Sequence, residues 1–589
     1  MMRFLESARQ KRWPRRSIHE IILPPSFCQL VFGRTMGAER SGFTSQSFRQ
    51  GYSTMTITSG RFSLGFAAII GVVLSSWCLA QNDKAEPAKP KAAVPPPKIT
   101  ISKETTRFTE PLRPDGFVDY FEAVNRHFSK DVTAENNVCV LLYQAMGPRP
   151  EGTRMPDRFF KGLGIEPLPD EGKYFQTLGK WIEGRPDVKV DANAVYDMQS
   201  KSGERPWKSD EFPLIAAWLK DNEAALQTVA AATERPRYYS PLVTSDAKPD
   251  GSLIEVLLPG IQKSRELARA FTSRAMWELA EGSQVDAWRD LMTMHRLGRL
   301  IGQGPTLIEY LVGVAIESIA INAELRFLSE TKPSAKMLAL YRKQLDRLPS
   351  RALVADKIDV GERSCFLDCA HRMARGQMGL KEIAGVGGDN SLIEKLAEGA
   401  MFQTVDWDEL LKSANKWYDR IADVSRKPDY LERSAAIKKF DQDLKEVVAK
   451  SRGPGALLAL FGGKPAITQT MSDVLISLLL PAVTNVLSAE GRVTVRMQSL
   501  DLVFALAAWR SEHDSYPESL DSLAPKYLAK VPNDLFNGQP LKYERAADGY
   551  RFYSVGQNEK DEEGRSFDDN PRGDDLVVRM PVPVAKEAK

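Results

Sequence analysis

The chain has 589 residues, more than one compact core usually holds, so its length predicts about two to four domains. Its 80 Lys and Arg side chains against 77 Asp and Glu give a net charge of +3, and this balance excludes the basic surplus of a nucleic-acid-binding protein. A mean hydropathy of −0.32 argues against a polytopic membrane protein, and five histidines leave little material for histidine-based sites.

One apolar segment near the N-terminus predicts the compartment. Phe62–Ala80 is uncharged, follows Arg61, and ends with small residues at Cys78 and Ala80, which is the spacing that signal peptidase reads. The segment is also long enough to stay uncleaved and span a bilayer. In either case we expect the rest of the chain to be exported, either periplasmic or anchored to the inner membrane and facing outward.

The stretches on either side of this segment predict little ordered structure. Residues 1–54 are interpreted as disordered or as a mis-assigned extension, because Met55 opens a normal signal n-region; the alternative is a basic cytoplasmic tail on a signal anchor. Residues 55–80 are then the signal peptide or signal anchor. Residues 81–112 form a linker rich in Pro, Ala and Lys, which cannot bury a core and acts as a spacer from the membrane.

Residues 113–350 predict an α-helical domain, since apolar side chains recur there at helical spacing. Phe212–Ala232 is predicted as one helix. The clearest pair is Ser264–Ala280 and Val285–Ile301, a helical hairpin with a glycine turn that resembles one tetratricopeptide unit. No second copy follows at a fixed period, so the sequence predicts a helical array and no repeat family. Residues 351–470 are predicted to continue the array as a helical extension with loops.

Residues 471–589 predict a small domain that begins with a long helix. Met471–Arg510 is mostly apolar, and Pro481 marks a kink or a restart because an interior proline removes a backbone hydrogen bond. Leu541–Arg545 and Tyr550–Val555 are predicted as two strands around a glycine-containing turn. The predicted fold class is therefore mainly α: a large α-helical array followed by a small α+β C-terminal domain.

The order of turn and aromatic residues in this last module follows a family pattern. The residues that carry it are Tyr516, Pro517, Tyr527, Leu528, Pro532, Asp534, Gly538, Tyr543, Tyr553, Ser554, Gly556, Asn558, Asp561, Gly564, Asp574, Asp575 and Leu576. The pattern, over roughly a sixth of the chain, resembles the globular part of type II secretion pseudopilins, in which a long helix precedes a small sheet with an acidic last hairpin. A pseudopilin begins with this helix, whereas here it lies near residue 475, and the apolar run Val474–Leu487 is short for a membrane span. The resemblance implies the fold of the module and leaves filament assembly by the usual route unsupported.

The resemblance also implies calcium, since the family often places this ion in the acidic hairpin. Ca²⁺ takes about six to eight oxygen ligands, which carboxylates and carbonyls on a glycine-bearing loop can supply. The candidate ligands are Asn558, Asp561, Asp568, Asp569, Asp574 and Asp575. The competing interpretation is a solvated acidic loop, the usual state of a charge run, and no EF-hand spacing is present. No other cofactor is predicted.

Two internal motifs suggest chemistry but have simpler interpretations. Gly304–Ile316 is similar to a prepilin peptidase site, yet it lies far behind the signal segment, and a buried helix with a proline in its first turn explains it. Cys365, Cys369 and His371 suggest a metal site, but His371 points away from the face that the cysteines share, and nothing nearby completes four ligands. We expect core packing, or a disulfide from one of these cysteines to Cys139.

The sequence contains no familiar catalytic motif: a Gly-x-Ser-x-Gly elbow, a phosphate loop and a His-Glu-x-x-His helix are all missing. We therefore expect no enzymatic activity and predict an exported structural or interaction protein of the cell envelope, with a protein partner there. The N-terminal segment adds membrane contact if it is uncleaved, and no nucleic-acid partner is expected. Two alternatives remain, an extracytoplasmic hydrolase with a carboxylate site in the helical domain and a secretion-apparatus component.

Overall fold

The computed structural model describes residues 98–384, 402–452 and 462–583, apart from residues 257 and 259. The predicted signal segment and most of the predicted linker lie outside this range. Helix accounts for 57% of the structure and strand for 4%, so the prediction of a mainly α protein is confirmed. One hydrophobic core extends through the described residues, from Ile99 to Met580.

Short helices build the first part of the helical body. Several begin at residues that suit a helix start: Asp119, Asn137, Thr177 and Asp191 each accept a backbone N–H of the first turn with a side-chain oxygen. The helices are α1 (Tyr120–Phe128), α2 (Val138–Met146), α3 (Asp157–Gly162), α4 (Leu178–Glu183), α5 (Ala192–Glu204), α6 (Pro213–Asp221) and α7 (Glu223–Ala232).

The segment predicted as one helix over Phe212–Ala232 is two helices, α6 and α7, which meet at Asn222. The Asn222 side chain donates to the Trp218 carbonyl oxygen (2.9 Å) and accepts from the Gln176 amide (2.8 Å). Asn side chains compete in this way for backbone groups, which favours an interruption over a continuous helix. The single-helix prediction is therefore wrong at this residue.

Three long helices form the centre of the body. They are α8 (Ile261–Ala280), α9 (Gln284–Ile301) and α10 (Leu307–Thr331). The hairpin of α8 and α9 confirms the predicted pair, and α10 packs against both. The backbones of α9 and α10 nearly touch, since a Cβ built on Gly313 would lie only 2.4 Å from the Gly298 carbonyl oxygen.

Further helices surround this centre. They are α11 (Ala335–Leu345), α12 (Val354–Asp356), α13 (Arg363–Ala374), α14 (Leu380–Ala384), α15 (Trp407–Ser425) and α16 (Tyr430–Arg452). A π-helical turn over Lys357–Glu362 joins α12 to α13. Helix α15 packs against both α13 and this turn, which places the region after residue 350 on the same core.

The last part of the chain contains two long helices and a small sheet. Helix α17 is Gly463–Leu479 and α18 is Pro481–His513, so the predicted restart at Pro481 is confirmed. The strands are β1 (Lys542–Arg545), β2 (Tyr550–Ser554) and β3 (Leu576–Met580), antiparallel in the order β1-β2-β3. The sequence predicted β1 and β2 within one residue at each end, but it identified no strand at β3.

Helix α18 belongs to both parts of the molecule. It packs against α10 and α11 of the helical body, and it also contacts β3 and a 3₁₀ turn at Leu520–Leu523. Phe504 of α18 meets Trp288 of α9 edge-on, with ring centroids 6.1 Å apart. The C-terminal sheet therefore rests on a helix that is itself part of the main core.

Candidate functional site

The acidic residues predicted to bind calcium lie in the loop between β2 and β3. Asp534, which precedes β1, fixes where this loop begins. Its carboxylate accepts the Ser554 hydroxyl (2.8 Å) and the Val555 amide (2.8 Å), and it also accepts the Phe536 amide (2.9 Å). Because Asp534 is buried, these bonds hold the end of β2 against the segment before the sheet.

Asp574 and Asp575 hold the returning side of the loop. Asp575 is 2% exposed and accepts the backbone amides of Gly564 (2.8 Å) and Glu562 (3.2 Å) through Oδ2. Asp574 accepts the Asn558 amide (3.0 Å). The structure therefore brings three of the six predicted ligands, Asn558, Asp574 and Asp575, to one side of the loop.

The other predicted ligands have separate partners. Asp561 accepts the Tyr553 hydroxyl (3.0 Å), and Asp569 pairs with Arg579 (2.9 Å). Asp568 acts electrostatically on a different group, the buried guanidinium of Arg496. These three side chains thus have partners of their own, although the charge of Asp561 also acts on Asp575.

Asp575 is the residue that fits a bound cation best. Its Oδ1 atom is buried and has no hydrogen-bond partner, and burial raises its pKa from 3.8 to about 6. A cation would satisfy this oxygen and favour the charged carboxylate. In the described part of the chain, however, no group of three or more His, Cys, Asp or Glu is arranged to hold a metal ion. The calcium site stays a prediction, and Asp575 is its most specific residue.

Sequence reasoning missed two residues that hold this loop, one within it and one on α18. Glu562 accepts the Asn558 side-chain amide (3.0 Å) and also the Asp574 backbone amide, so it links the two sides of the loop. Arg492 of α18 pairs with Asp574 at 2.6 Å. The only sequence signal for Glu562 is its place in a charged run, and Arg492 lies too far away along the chain for any local pattern to identify it.

The segment similar to a peptidase site is the start of α10. Thr306 and Glu309 form a capping box, in which Glu309 accepts the Thr306 amide (3.0 Å) and donates its own amide to the Thr306 hydroxyl (3.1 Å). The Tyr238 hydroxyl donates to the same buried carboxylate (3.0 Å). The interpretation of Gly304–Ile316 as a buried helix is confirmed, with Pro305 just before the cap and not in the first turn.

The three cysteines are free, so core packing describes them and the alternative of a disulfide does not. Cys139 and Cys369 are buried, while Cys365 is half-buried. His371 packs edge-on against Tyr120, with ring centroids 5.2 Å apart, and burial lowers its pKa to about 3. A neutral imidazole among aromatic rings is a packed side chain.

Carboxyl groups with raised pKa, a mark of acid–base sites, do occur in the helical body. Burial raises the pKa of Glu362 to about 7 and also raises that of Glu278. Both are engaged inside the fold: Glu362 accepts the Leu307 amide (3.3 Å), and Glu278 lies 3.9 Å from Arg274. The Glu362 bond joins the π-helical turn to the start of α10, whereas Glu278 and Arg274 lie one turn apart on α8 itself.

Side chains of the helical body also hold the C-terminal module. Arg326 of α10 donates to the carbonyl oxygens of Val582 and Pro583, both at 2.9 Å. This contact, which we name the Arg326 clamp, fixes the chain just after β3. Arg342 of α11 donates to the Tyr527 carbonyl oxygen at 2.6 Å. The module is therefore attached through α18, through the segment before the sheet and through its end.

The segment Gly463–His513, which comprises α17 and α18, is the one candidate for a membrane span in the described residues. Its most apolar window has a mean hydropathy of 1.6, and 62% of that window is buried within the protein. Core helices of soluble proteins meet the same length and composition criteria. Because α18 packs against α10 and α11, this segment gives only weak support for a membrane span.

The chain matches no protein-family model, no curated protein and no solved structure. No family is therefore assigned to it. The likeness to pseudopilins stays a prediction from the order of residues in the C-terminal module.

Proposed function

We propose that the protein is an exported, non-enzymatic structural and interaction protein of the cell envelope. The observation that carries the proposal is the attachment of the C-terminal module to the helical body through α18 and the Arg326 clamp. A module held at both ends presents its acidic loop and its β1 edge in a fixed orientation, which suits a docking surface. The predicted signal segment and linker support a location outside the inner membrane.

The acidic loop would be the contact region. Gln557, Glu559 and Lys560, at the start of the loop after β2, are exposed, and the first two contact Ser488 and Lys438 of the helical body. Asp574 and Asp575 are held from within. If calcium binds at Asp575 and its neighbours, it neutralises their charge and stiffens the loop. A protein partner would then meet an ordered surface with little entropy left to lose.

Neither alternative function gains a specific observation. A hydrolase needs acids that face a substrate, whereas Glu362 is bonded to the start of α10 and Glu278 lies beside Arg274 within α8. A secretion-apparatus role rests on the likeness to pseudopilins, whose leading helix is free to assemble, whereas α18 is enclosed by the helical body. Of the three proposals, an interaction protein is the one that the described architecture supports.

Export is tested with a reporter enzyme that is active only outside the cytoplasm, fused after residue 589. We expect activity from the full chain and loss of activity when residues 62–80 are deleted. A matched deletion of residues 2–20 should keep the activity, because the predicted signal segment stays intact. Equal activity with and without residues 62–80 would contradict export by this segment.

Docking is tested by placing a photo-crosslinking amino acid at Lys560 of the loop or at Lys336 of α11, both of which are exposed. We expect discrete adducts in the envelope fraction from position 560 and none of the same size from position 336. Chelation of calcium should weaken the adducts if the ion orders the loop. The same adduct pattern at both positions, or no adduct at position 560, would count against the loop as a docking surface.

A further inference from the structure

A cavity of about 320 Å³ lies in the first part of the helical body, far along the chain from the acidic loop. It is bounded by the end of α2, the segments around residues 147–149 and 170–176, helix α4 and the start of α8. Its volume falls at the lower end of the range of small-molecule sites, about 300–1,000 Å³. Cationic and aromatic side chains line it together with two acids, Asp170 and Glu171.

Lys263 of α8 is a buried cation in the wall of this cavity. The side chain is 7% exposed, and one of the three N–H groups of its ammonium donates to the Met146 carbonyl oxygen (2.9 Å). Burial lowers its pKa to about 8, with the charge of Lys180 adding to the effect, so the amine is still mainly protonated at neutral pH. Glu151 lies nearby, but its carboxylate accepts the backbone amides of Gly260 (2.9 Å) and Gln262 (3.0 Å).

Lys180 of α4 brings a second ammonium group to the same cavity. In the described part of the chain, neither Lys180 nor Lys263 forms an ion pair with a carboxylate. The other cation there, Arg149, is already paired with Asp170 at 3.1 Å. Two like charges beside one cavity repel each other, and an anion placed between them would turn this repulsion into attraction.

The aromatic wall of the cavity is rigid. A Cβ built on either Gly147 or Gly172 would lie 2.7 Å from the Tyr174 ring, so both glycines are needed for the ring to sit where it does. The Tyr174 hydroxyl donates to the Pro169 carbonyl oxygen at 2.8 Å, and Phe175 is buried beside it. A ring fixed in this way is pre-organised to stack on a flat ligand.

We propose that this cavity is a binding site for a small organic oxyanion, a carboxylate or phosphate group carried on a flat ring. The anionic group lies between Lys180 and Lys263, and the ring lies against Tyr174 and Phe175. This inference is independent of export and of the docking loop, because the cavity belongs to the helical body alone.

Calorimetry on the full chain tests the proposal with four probes: benzoate, phenyl phosphate, inorganic phosphate and the neutral benzyl alcohol. We expect saturable binding of benzoate or phenyl phosphate, and binding of benzyl alcohol and of inorganic phosphate at least about tenfold weaker. A comparison of the affinities of benzoate and phenyl phosphate identifies which group, the carboxylate or the phosphate, the site prefers. Absence of binding by both aromatic anions at millimolar concentration would overturn the proposal.

Three variants separate the site from general charge effects. Lys263→Met and Lys180→Gln should each weaken the bound anion by about tenfold, since each removes one charge-assisted contact. Lys173→Gln is the matched control, because Lys173 is exposed and lies outside the cavity lining; it should bind as the wild type does. Lys180 is also exposed, so Lys180→Gln keeps the test valid if Lys263→Met fails to fold. Wild-type affinity in Lys180→Gln would overturn the assignment.

Discussion

Asp575 is a buried carboxyl group with one oxygen bonded to two backbone amides and the other without a partner. Burial raises its pKa from 3.8 to about 6, and the nearby charge of Glu562 acts in the same direction. Because the pKa is higher in the folded chain than in the unfolded chain, ionisation destabilises the fold as pH rises from about 4 to about 6. Above that range the penalty applies in full.

This penalty makes Asp575→Asn informative. At pH 7 in chelator, we expect the variant to have an unchanged or higher Tm, because the amide removes the charge and keeps an acceptor. Calcium should raise the Tm of the wild type but not that of the variant, since an ion that binds the folded state stabilises it. Asp548→Asn, in the exposed β1–β2 turn, is the control and should respond to calcium. If calcium does not change the Tm of the wild type, the calcium site is disproved.

Arg274 and Asp290 form a buried ion pair on which we expect the stability of the fold to depend. Two guanidinium nitrogens donate to the two carboxylate oxygens, both at 2.7 Å, and the side chains are only 10% and 3% exposed. Asp290→Ala leaves the buried guanidinium with Glu223 (2.8 Å) as its remaining close partner. We expect a loss of about 3 kcal/mol in the free energy of unfolding, the low end for breaking a buried pair.

Urea denaturation measures this loss against an exposed pair. Arg126 and Glu122 are 64% and 48% exposed, so Glu122→Ala should cost less than about 1 kcal/mol. Similar losses in the two variants would show that the Arg274 pair does not carry the stability assigned to it.

The positions of individual residues were predictable where the nearby sequence contains a recognisable spacing of residue types. Asn558, Asp574 and Asp575 are predicted as ligands because the spacing of turn residues around them follows a pattern, and the structure places all three in one loop. Lys263 was not identified, since a lysine on a helix is by default solvated and only the fold shows that this one is buried. Contacts between distant positions, such as Arg492 with Asp574, depend on packing that no short window of sequence contains.

Helices α9 and α10 show how close two elements can pack. The Gly313 backbone lies so near α9 that a Cβ there would be 2.4 Å from the Gly298 carbonyl oxygen and 2.9 Å from the Gly302 nitrogen. We expect Gly313→Ala to force the helices apart and to destabilise the fold by about 2–3 kcal/mol, although alanine has the better helix propensity. Chemical denaturation measures the change.

A matched glycine substitution provides the comparison. A Cβ on Gly184, which ends α4, would have no contact closer than 3.6 Å, so Gly184→Ala should change stability by less than about 0.5 kcal/mol. If Gly313→Ala is as stable as Gly184→Ala, the close approach of α9 and α10 is not required for folding.

Elements with strong periodicity were predictable, as were the strands β1 and β2 on either side of a glycine-containing turn, whereas β3 was not. The hairpin of α8 and α9 has long apolar stripes and a glycine turn, and it lies close to its predicted bounds. Strand β3 has only five residues, includes Arg579 and follows a run of acids, so its local pattern indicates a solvated loop. Its strand character comes from pairing with β2, which is a tertiary effect.

The molecule as a whole should unfold as one unit. Buried residues of α18, among them Leu500, Val503 and Phe504, are covered by helices of the body, so a separated module would expose them. We expect one cooperative thermal transition for the full chain and no stable fold for residues 471–589 expressed alone. Circular dichroism and amide exchange of the fragment check this, and a fragment that melts cooperatively on its own would contradict it.

The Arg326 clamp also determines at how many points the C-terminal module is attached to the helical body. The chain leaves the helical body along α18 and contacts it again at Val582. The residues between these two points are therefore fixed to the helical body at both ends. A domain appended by a single linker can swing away from its neighbour, whereas an inserted domain is restrained at two points. The module is therefore restrained at two points, as an inserted domain is, although its second attachment is the noncovalent Arg326 clamp. Any separation from its host requires the clamp to open first.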